Sequence, residues 1–380
     1  MSAPGDLDAS FDGNGKRLIG FGGTDAANAV LVQPNGRIII AGGGGTAPSF
    51  CVARLRANGQ LDATFGPNGK RRIRFGGTNE AAFGAALQPD GKIVLVGDSD
   101  LQPAVVRLNP NGTLDKSFSA DGKKLFSWGP IGRVMAVLVL PNGKLLLGGF
   151  SGPEGGNIHV ARLNPGGALD TTFGTAGKAT VDFNGDDFGL AMARQANGRI
   201  LIAGRSTAAG AVVARLRANG APDPDFGSAG KVTLAGGGTV RAVVVQPDRK
   251  IVLAGNTSLS QAMVVTRLNP DGSPDPTLGG TGQVTIDFGS TDDLANDAVV
   301  GADARIIVAG YTQADEDVAV ARLNADGSAD GTFGTAGRAT VDFGGVATFG
   351  NAVALQPNGR IVVAGQRTGN DDFAVTRLLG

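Results

Sequence analysis

The chain has 380 residues, of which 34 are basic and 34 acidic, so its formal net charge is zero. Nucleic acids and anionic membrane surfaces bind clusters of Lys and Arg, and a balanced chain without a long basic run argues against both as main partners. A lone cysteine, Cys51, and the lack of an apolar run near the roughly 18 to 20 residues of a membrane span argue against a disulfide framework, a cysteine-based zinc site and membrane insertion.

One phrase is repeated seven times along the chain, with a period of 52 to 55 residues. A period in this range is typical of units that cannot bury their own apolar face and therefore stack on one another. We predict a single domain over residues 1–380. The seven copies begin at Gly5, Gly59, Gly112, Gly167, Gly220, Gly272 and Gly327.

Each copy contains four short runs of strand length. The first run of the chain is Lys16 to Phe21, and the second copy shows the complete set in the letters KRRIRF, GAALQ, KIVLVG and AVVRL. These runs are rich in Val, Ile, Leu and Ala, as β-strands are. Pro-Asn-Gly or Pro-Asp-Gly between the second and third runs of four copies predicts a tight hairpin turn. The chain is therefore predicted to be all-β.

Four antiparallel strands per unit, repeated seven times, predict a seven-bladed β-propeller. The run that ends in Gln is small and apolar on both faces, so we assign it to the innermost strand, beside the central channel. The last copy then supplies only three strands, Asn351 to Gln356, Arg360 to Gly365 and Phe373 to Leu378. Its fourth strand is predicted to be Lys16 to Phe21, which closes the ring. An open β-solenoid is the alternative, and it would need capping units that the sequence lacks.

An Arg and an Asp recur at fixed places in every copy. In six pairs the Asp follows the Arg by eight residues, and closure of the ring brings the two unpaired residues, Asp8 and Arg377, together. We predict that each Arg binds its Asp as a two-bond fork with a structural role, and that the Phe of the following DxxFG turn packs between blades. The pairs are Arg54–Asp62, Arg107–Asp115, Arg162–Asp170, Arg215–Asp223, Arg267–Asp275, Arg322–Asp330 and Arg377–Asp8.

The copies differ most in two loops, one before the innermost strand and one between the two middle strands. Both loops lie on the same side of the predicted disc, which we call the variable face; the opposite, constant face carries the QPNGR and NPDGS turns. The residue before each inner Ala is predicted to line the channel mouth on the variable face. These residues are Asn28, Gly84, Met135, Leu190, Arg241, Asp297 and Asn351. Asn28, Arg241, Asp297 and Asn351 form a polar arc and are the candidate ligand-binding residues.

Metal and catalytic chemistry have weaker support. Acidic clusters in the outer loops offer the hard oxygens that calcium prefers, but none follows a known calcium-loop pattern, so we predict no cofactor and keep calcium as an alternative. These clusters are Asp186–Asp187, Asp292–Asp293, Asp315–Asp317 and Asp371–Asp372. The third copy holds the only Trp, Trp128, and the only His, His159. A single His without a partner at catalytic spacing is predicted to have a packing or surface role.

The repeated phrase, seen as VLVQPNGRIIIAG, AALQPDGKIVLVG and VALQPNGRIVVAG, resembles the bacterial delta-sixty repeat family of β-propellers. The resemblance covers all seven copies. It implies a propeller of a kind common in secreted or surface bacterial proteins, with no general activity assigned and no catalytic residues to transfer.

We therefore expect a monomeric, non-enzymatic binding or scaffolding module that takes a protein or a small polar ligand on its variable face. An extracellular or cell-surface location is expected; because no signal peptide is visible, a cytoplasmic location is the alternative. The alternative function is an enzyme of hydrolase or lyase type, with a metal or small ligand at the channel mouth. A designed or reconstructed repeat without a ligand is a third interpretation, disfavoured by the uneven loops.

Overall fold

The computed structural model describes residues 2–129, 131–152, 156–258, 262–290, 292–312, 316–369 and 372–380. These residues form seven blades of four antiparallel strands and one short 3-10 helix, Pro67–Gly69. A single bridge between Gly43 and Ala81 also joins blades one and two. Within the described ranges, no helix is long and apolar enough to cross a membrane. The prediction of an all-β, seven-bladed propeller is confirmed.

The two inner strands of each blade form the hairpin predicted from the Pro-Asn-Gly turns. The innermost strands are β2 (Ala26–Val32), β6 (Glu80–Leu87), β10 (Gly132–Val139), β14 (Asp187–Arg194), β18 (Thr239–Val245), β22 (Asp293–Val300) and β26 (Thr348–Leu355). The second strands are β3 (Ile38–Gly44), β7 (Ile93–Ser99), β11 (Leu145–Ser151), β15 (Ile200–Ser206), β19 (Ile251–Asn256), β23 (Ile306–Thr312) and β27 (Ile361–Arg367).

The two outer strands complete each blade. The third strands are β4 (Ser49–Leu55), β8 (Gln102–Leu108), β12 (Ile158–Leu163), β16 (Gly210–Leu216), β20 (Met263–Leu268), β24 (Asp317–Leu323) and β28 (Asp372–Leu378). The outermost strands are β5 (Lys70–Ile73), β9 (Lys123–Leu125), β13 (Lys178–Val181), β17 (Lys231–Thr233), β21 (Gln283–Ile286), β25 (Arg338–Val341) and, for blade seven, β1 (Lys16–Ile19).

The ring is closed by the N-terminal strand. β1 pairs antiparallel with β28, from Lys16 opposite Thr376 to Ile19 opposite Phe373. The innermost strands β2 and β26 also contact each other, as other neighbouring innermost strands do. The predicted closure is therefore present, and blade seven has no exposed third-strand edge.

The hydrophobic core lies between the blades and is divided into seven clusters. Each cluster joins side chains of two neighbouring blades; one of them, for example, packs Phe65 of blade one against Ile93 and Leu95 of blade two. The Phe of each DxxFG turn, or Leu278 in the sixth copy, is fully buried in one of these clusters. The predicted packing of these residues between blades is confirmed. Stacking neighbours thus buries the face that one blade cannot bury alone.

A β-bulge interrupts the innermost strand of every blade. In blade one the register shifts between Ala27 and Ala29, so Asn28 is the extra residue. The bulge brings the Ala26 carbonyl against Gly42, where an added Cβ would lie 1.8 Å from the oxygen. Every blade repeats this contact, so a glycine is required there by close approach of the backbone. The seven glycines are Gly42, Gly97, Gly149, Gly204, Gly255, Gly310 and Gly365.

Candidate functional site

The constant face carries the seven predicted Arg–Asp pairs. In each pair the Nε atom of the Arg lies 2.6–2.8 Å from Oδ2 of the Asp. Asp8 and Arg377 pair at 2.8 Å, like the six pairs within the chain, because ring closure brings them together. A second cation from the hairpin turn reaches the same carboxylate oxygen at 2.6–3.4 Å. These second cations are Arg37, Lys92, Lys144, Arg199, Lys250, Arg305 and Arg360.

The predicted two-bond fork is wrong in its geometry. Arg54 reaches Asp62 through Nε alone, while its two terminal nitrogens donate to the carbonyl of Pro110 in the next blade and to the hydroxyl of Thr64. The guanidinium also stacks over Phe65, with 4.8 Å between Cζ and the ring centroid. One terminal nitrogen that a two-bond fork would place on the Asp binds a turn carbonyl of the neighbouring blade instead. The Arg therefore links its own Asp to that blade.

The carboxylates of the constant face are strongly stabilised in their ionised form. Burial alone would raise the pKa of Asp115, but hydrogen bonds from Ser117 and Arg107 outweigh it and lower that pKa to about 2. The pKa is lowered in the other six Asp residues as well. Each of the seven Asp residues is nearly inaccessible to solvent. These charges are bound to one another and offer little to a ligand.

The channel mouth is a cavity of about 370 Å³, and the predicted mouth residues line it. In blades one, three, four, five and seven the predicted residue is the bulge residue itself. In blades two and six the bulge residue is instead Phe83 or Asn296, one position before the predicted Gly84 or Asp297. The prediction took the residue before the inner Ala, and in these two copies that Ala lies one residue later than in the others. In blade two the bulge residue, Phe83, lies five residues before Gln88, the same spacing as from Asn28 to Gln33 in blade one.

Three of the bulge residues bind the neighbouring blade. Asn28 donates from Nδ2 to the Ala82 carbonyl at 2.8 Å, Asn351 to the Ala27 carbonyl at 2.9 Å, and Asn296 to the Gly350 carbonyl at 2.9 Å. These amides join the innermost strands of blades six, seven, one and two. The amide nitrogens of two predicted ligand-binding residues, Asn28 and Asn351, are therefore already engaged within the ring.

Asp297 also crosses between blades. Its Oδ1 accepts a hydrogen bond from the amide of Ala298, and its Oδ2 accepts one from the amide of Val353 in blade seven, both at 2.8 Å. Burial raises the pKa of Asp297 to about 6, against the opposing effect of the two amides. The equivalent position is Ala in five blades and Gly84 in blade two, so Asp297 is the one acidic side chain at this level of the ring.

Arg241 is the predicted mouth residue that stays unengaged. No hydrogen bond or ion pair joins its guanidinium to any residue of the described ranges. Desolvation lowers the pKa of Arg241; the nearby hydroxyl of Tyr311 acts against this shift, and Arg205 adds to it. An arginine remains charged under these conditions. A positive charge thus faces the channel without a counter-charge from the described residues.

Aromatic side chains form a rim around the mouth, roughly two strand residues or 7 Å further toward the variable face. Phe150 and Phe188 meet edge to face with centroids 4.9 Å apart, and Tyr311 and Phe349 do so at 4.7 Å. Arg205 lies 4.4 Å above the ring of Phe188. The repeat does not predict this rim, because its aromatic residues occupy different strands in different blades.

His159 lies away from the cavity, within blade three. Its Nε2 lies 2.8 Å from the Ser151 hydroxyl and its Nδ1 lies 3.2 Å from the Thr180 hydroxyl, and its ring stacks on Trp128. Burial lowers the pKa of His159 to about 4, and Lys178 adds to this shift. The imidazole is therefore neutral at pH 7.

Carboxylates in the acidic clusters of the outer loops accept hydrogen bonds from backbone amides. Asp187 accepts the amide of Phe183 at 2.5 Å, and Asp293 accepts the amide of Phe288 at 2.7 Å. Asp315 and Asp371 lie outside the described residues. Across the part of the chain that the structure describes, no three His, Cys, Asp or Glu side chains come together as a metal site would require.

Comparison with protein families adds one decisive match. The model of the family described as domain of unknown function (DUF5122) beta-propeller matches residues 33–65, 88–118, 140–173, 195–226, 246–278, 301–333 and 356–379. The chain belongs to the DUF5122 β-propeller family. The resemblance to a β-propeller repeat family is confirmed at this level, and the narrower identification with the delta-sixty repeat stays a prediction. No curated protein matches this DUF5122 propeller in sequence.

Solved structures similar to this DUF5122 propeller share its fold at low sequence identity. Virginiamycin B lyase from Staphylococcus aureus has a TM-score of 0.62 and 9% identity, covering 96% of this chain and 98% of that one. The structure described as YCF48 bound to D1 peptide has a TM-score of 0.56 and 12% identity over 100% and 98%. Polysaccharide lyase Uly1 has a TM-score of 0.52 and 12% identity over 93% and 89%. Such likeness shows the fold alone, because unrelated activities occur on propellers.

Proposed function

We propose that this DUF5122 propeller is a non-enzymatic binding or scaffolding module that takes a protein segment or a small polar ligand into the channel mouth on its variable face. The observation that carries the proposal is the unengaged guanidinium of Arg241 in a cavity of about 370 Å³. Each Arg of the seven Arg–Asp pairs is bound to a buried carboxylate, whereas Arg241 lines the cavity without a carboxylate among the described residues. An unpaired charge in a concave, partly apolar site is typical of a ligand-binding surface.

The rim supports a ligand with an apolar part. Phe150, Phe188, Tyr311 and Phe349 present partly exposed rings above the cavity. Aromatic residues and Arg are the side chains that contribute most to binding at protein interfaces. The similar fold of YCF48, whose structure is bound to the D1 peptide, is compatible with a peptide ligand here. We further propose an extracellular or cell-surface monomer, in keeping with the resemblance of the repeats.

A peptide library displayed on phage tests this function. We expect wild-type protein to enrich a set of peptides that the double variant Arg241→Ala, Asp297→Ala does not bind. The matched control is Arg249→Ala, an exposed Arg in the blade-five hairpin on the constant face, which should bind like wild type. Equal binding by wild type and the double variant would reject the channel mouth as the site.

The alternative function is an enzyme of hydrolase or lyase type, and Asp297 is the observation in its favour. A carboxyl group with a pKa near 6 is suited to transfer protons at mildly acidic pH. Both of its oxygens already accept backbone amides, however, and the described residues that line the cavity include no His, Cys or Ser. Thermal melting with calcium and with EDTA tests a metal-dependent form of this alternative; identical melting temperatures would argue against it.

A further inference from the structure

The innermost strands present backbone N–H groups to the channel. The Gln33 amide donates to the Arg37 carbonyl on the β3 side of the hairpin. Backbone N–H groups alternate in direction along a strand, so the N–H of Leu31 points toward β3 and the N–H of Val30 points away from it. Because β2 pairs with β3 on one side only, the Val30 amide faces the channel. The same hydrogen bond is present in every blade and fixes the equivalent position. At this one position of the seven innermost strands, the channel-facing amides belong to Val30, Ala85, Val137, Met192, Val243, Ala298 and Val353.

The chain itself places a carboxylate on two of these seven amides. Asp297 bridges Ala298 of blade six and Val353 of blade seven with one oxygen on each amide. The other five amide-bearing residues line the cavity, whereas Ala298 and Val353 do not. Asp297 thus shows how a carboxylate fits between neighbouring innermost strands, and the near-sevenfold symmetry of the ring repeats that pair of amides elsewhere.

One amide pair lies beside the unengaged charge. Met192 of β14 and Val243 of β18 stand in the same relation to each other as Ala298 and Val353, and Arg241 lies two residues from Val243. Ala191 occupies the position of Asp297 in this pair, so no side-chain carboxylate covers the two amides. Leu190 lines the cavity next to them, and Phe188 lies at the rim above. This arc combines two N–H donors, a guanidinium and an apolar wall.

We propose that the channel mouth binds ligands through a carboxylate group, held by the Arg241 guanidinium and the amides of Met192 and Val243, with an apolar group against Leu190 and Phe188. This inference rests on the proposed binding function and names its ligand class. A planar carboxylate accepts up to about four hydrogen bonds, so the two amides fix its orientation while the guanidinium supplies the charge. The free C-terminus of a peptide ending in an apolar residue has this chemistry.

Three probes of similar size test the ligand class: N-acetyl-phenylalanine, its neutral amide N-acetyl-phenylalaninamide, and phenyl phosphate. Backbone amide NMR of the full chain at low salt reports both the affinity and the place of binding. We expect the carboxylate to bind with a Kd on the order of 1 mM and to shift the Met192 and Val243 resonances. The neutral amide should bind at least roughly tenfold more weakly, because it cannot pair with a guanidinium.

Two variants and one control locate the carboxylate. Arg241→Met should lower the affinity for N-acetyl-phenylalanine by roughly tenfold or more, and the control Arg249→Met should leave that affinity unchanged. Ala191→Asp copies Asp297 into the blade-four position, so its own carboxylate should occupy the Met192 and Val243 amides and abolish probe binding. Since this variant adds a side chain seen elsewhere in the ring, its fold is checked by an unchanged NMR spectrum outside the channel.

The outcomes separate this inference from the proposed function. Equal affinity of acid and amide, tighter binding of phenyl phosphate, or unchanged binding by Ala191→Asp would overturn the carboxylate class, and Arg241-dependent peptide enrichment would still support the binding function. Absence of any shift at channel amides with all three probes at about 10 mM would also overturn the carboxylate class. The proposed function would then be judged by the peptide library alone.

Discussion

Arg215 and Arg241 lie in neighbouring blades and on opposite faces of the disc, and their surroundings differ in kind. Arg215 is buried, touches Asp223 at 2.6 Å and stacks over Phe226. Arg241 faces the channel without a partner among the described residues. The carboxylates differ in the same way, since the pKa of Asp223 is lowered and that of Asp297 is raised to about 6. The Arg–Asp pairs of the constant face satisfy their charges within the fold, whereas the guanidinium of Arg241 at the channel mouth has no carboxylate partner among the described residues.

Exchange of each Arg for Met gives the largest expected contrast. Arg215→Met leaves Asp223 buried with Arg199 as its remaining close partner, and should lower the free energy of unfolding by about 3 kcal/mol. Arg241→Met removes a charge that contacts no carboxylate, and should change that free energy by less than about 0.5 kcal/mol. Urea denaturation measures both values. Similar losses for the two variants would contradict the division between the faces.

The glycines opposite the bulges test whether close backbone contact there is required for stability. Gly310→Ala should lower the free energy of unfolding by about 2–3 kcal/mol, because its Cβ would lie 1.7 Å from the Leu294 carbonyl and force the bulge to move. Gly331→Ala is the matched control, since its Cβ meets no atom within 4 Å. It should shift the same quantity by less than about 0.5 kcal/mol. Thermal melting compares the two variants, and equal stability would remove the proposed reason for the glycine.

The pH dependence of stability should separate the two kinds of carboxylate. Because the folded pKa of Asp297 lies above its unfolded value, its contribution is complete below pH 3.8 and is lost as the pH rises toward 6. The constant-face Asp residues have lowered pKa values, so their contribution is present above pH 3.8 and is lost as the pH falls below it. Asp297→Ala, the residue of five other blades, should reduce the change in melting temperature between pH 4 and pH 6. An unchanged profile would argue against a buried titrating group there.

The smallest expected effect concerns the outer rim. In six blades a Lys or Arg that begins the outermost strand donates to a carbonyl at the end of the preceding blade's outermost strand, as Lys70 does to Gly20. Blade five has Gln283 at this position. Gln283→Lys should stabilise the protein by a few tenths of a kcal/mol, up to about 1 kcal/mol. A melting temperature equal to or below that of wild type would show that this cation adds no stability.

The repeat predicts the fold well because each structural contact recurs seven times. The Arg–Asp pairs, the hairpins and the closure by Lys16 to Phe21 all follow from spacing, and the structure contains them. The sequence predicts the positions of the channel-mouth residues less well than it predicts the fold. The bulge adds one residue to each innermost strand, so the choice between Asn296 and Asp297 as the bulge residue depends on the register of β22 with β23. The hydrogen bonds that Asn28 and Asn351 donate to the neighbouring blade could not be predicted, because their acceptors are backbone carbonyls, which every residue carries. The rim of Phe residues lacks a repeated pattern.

Closure by β1 also sets an order of events for synthesis. Of the strands in the ring, β1 leaves the ribosome before all others, yet it pairs with β28, and the Thr376 hydroxyl donates to the Gly15 carbonyl across 361 positions of the chain. Until β28 has been made, β1 lacks its partner strand, and the cluster that joins blades seven and one lacks half of its side chains. Contacts so distant in sequence form slowly. A stalled or truncated chain would therefore carry a free edge at one end of an unfinished ring, a surface suited to pairing with another copy.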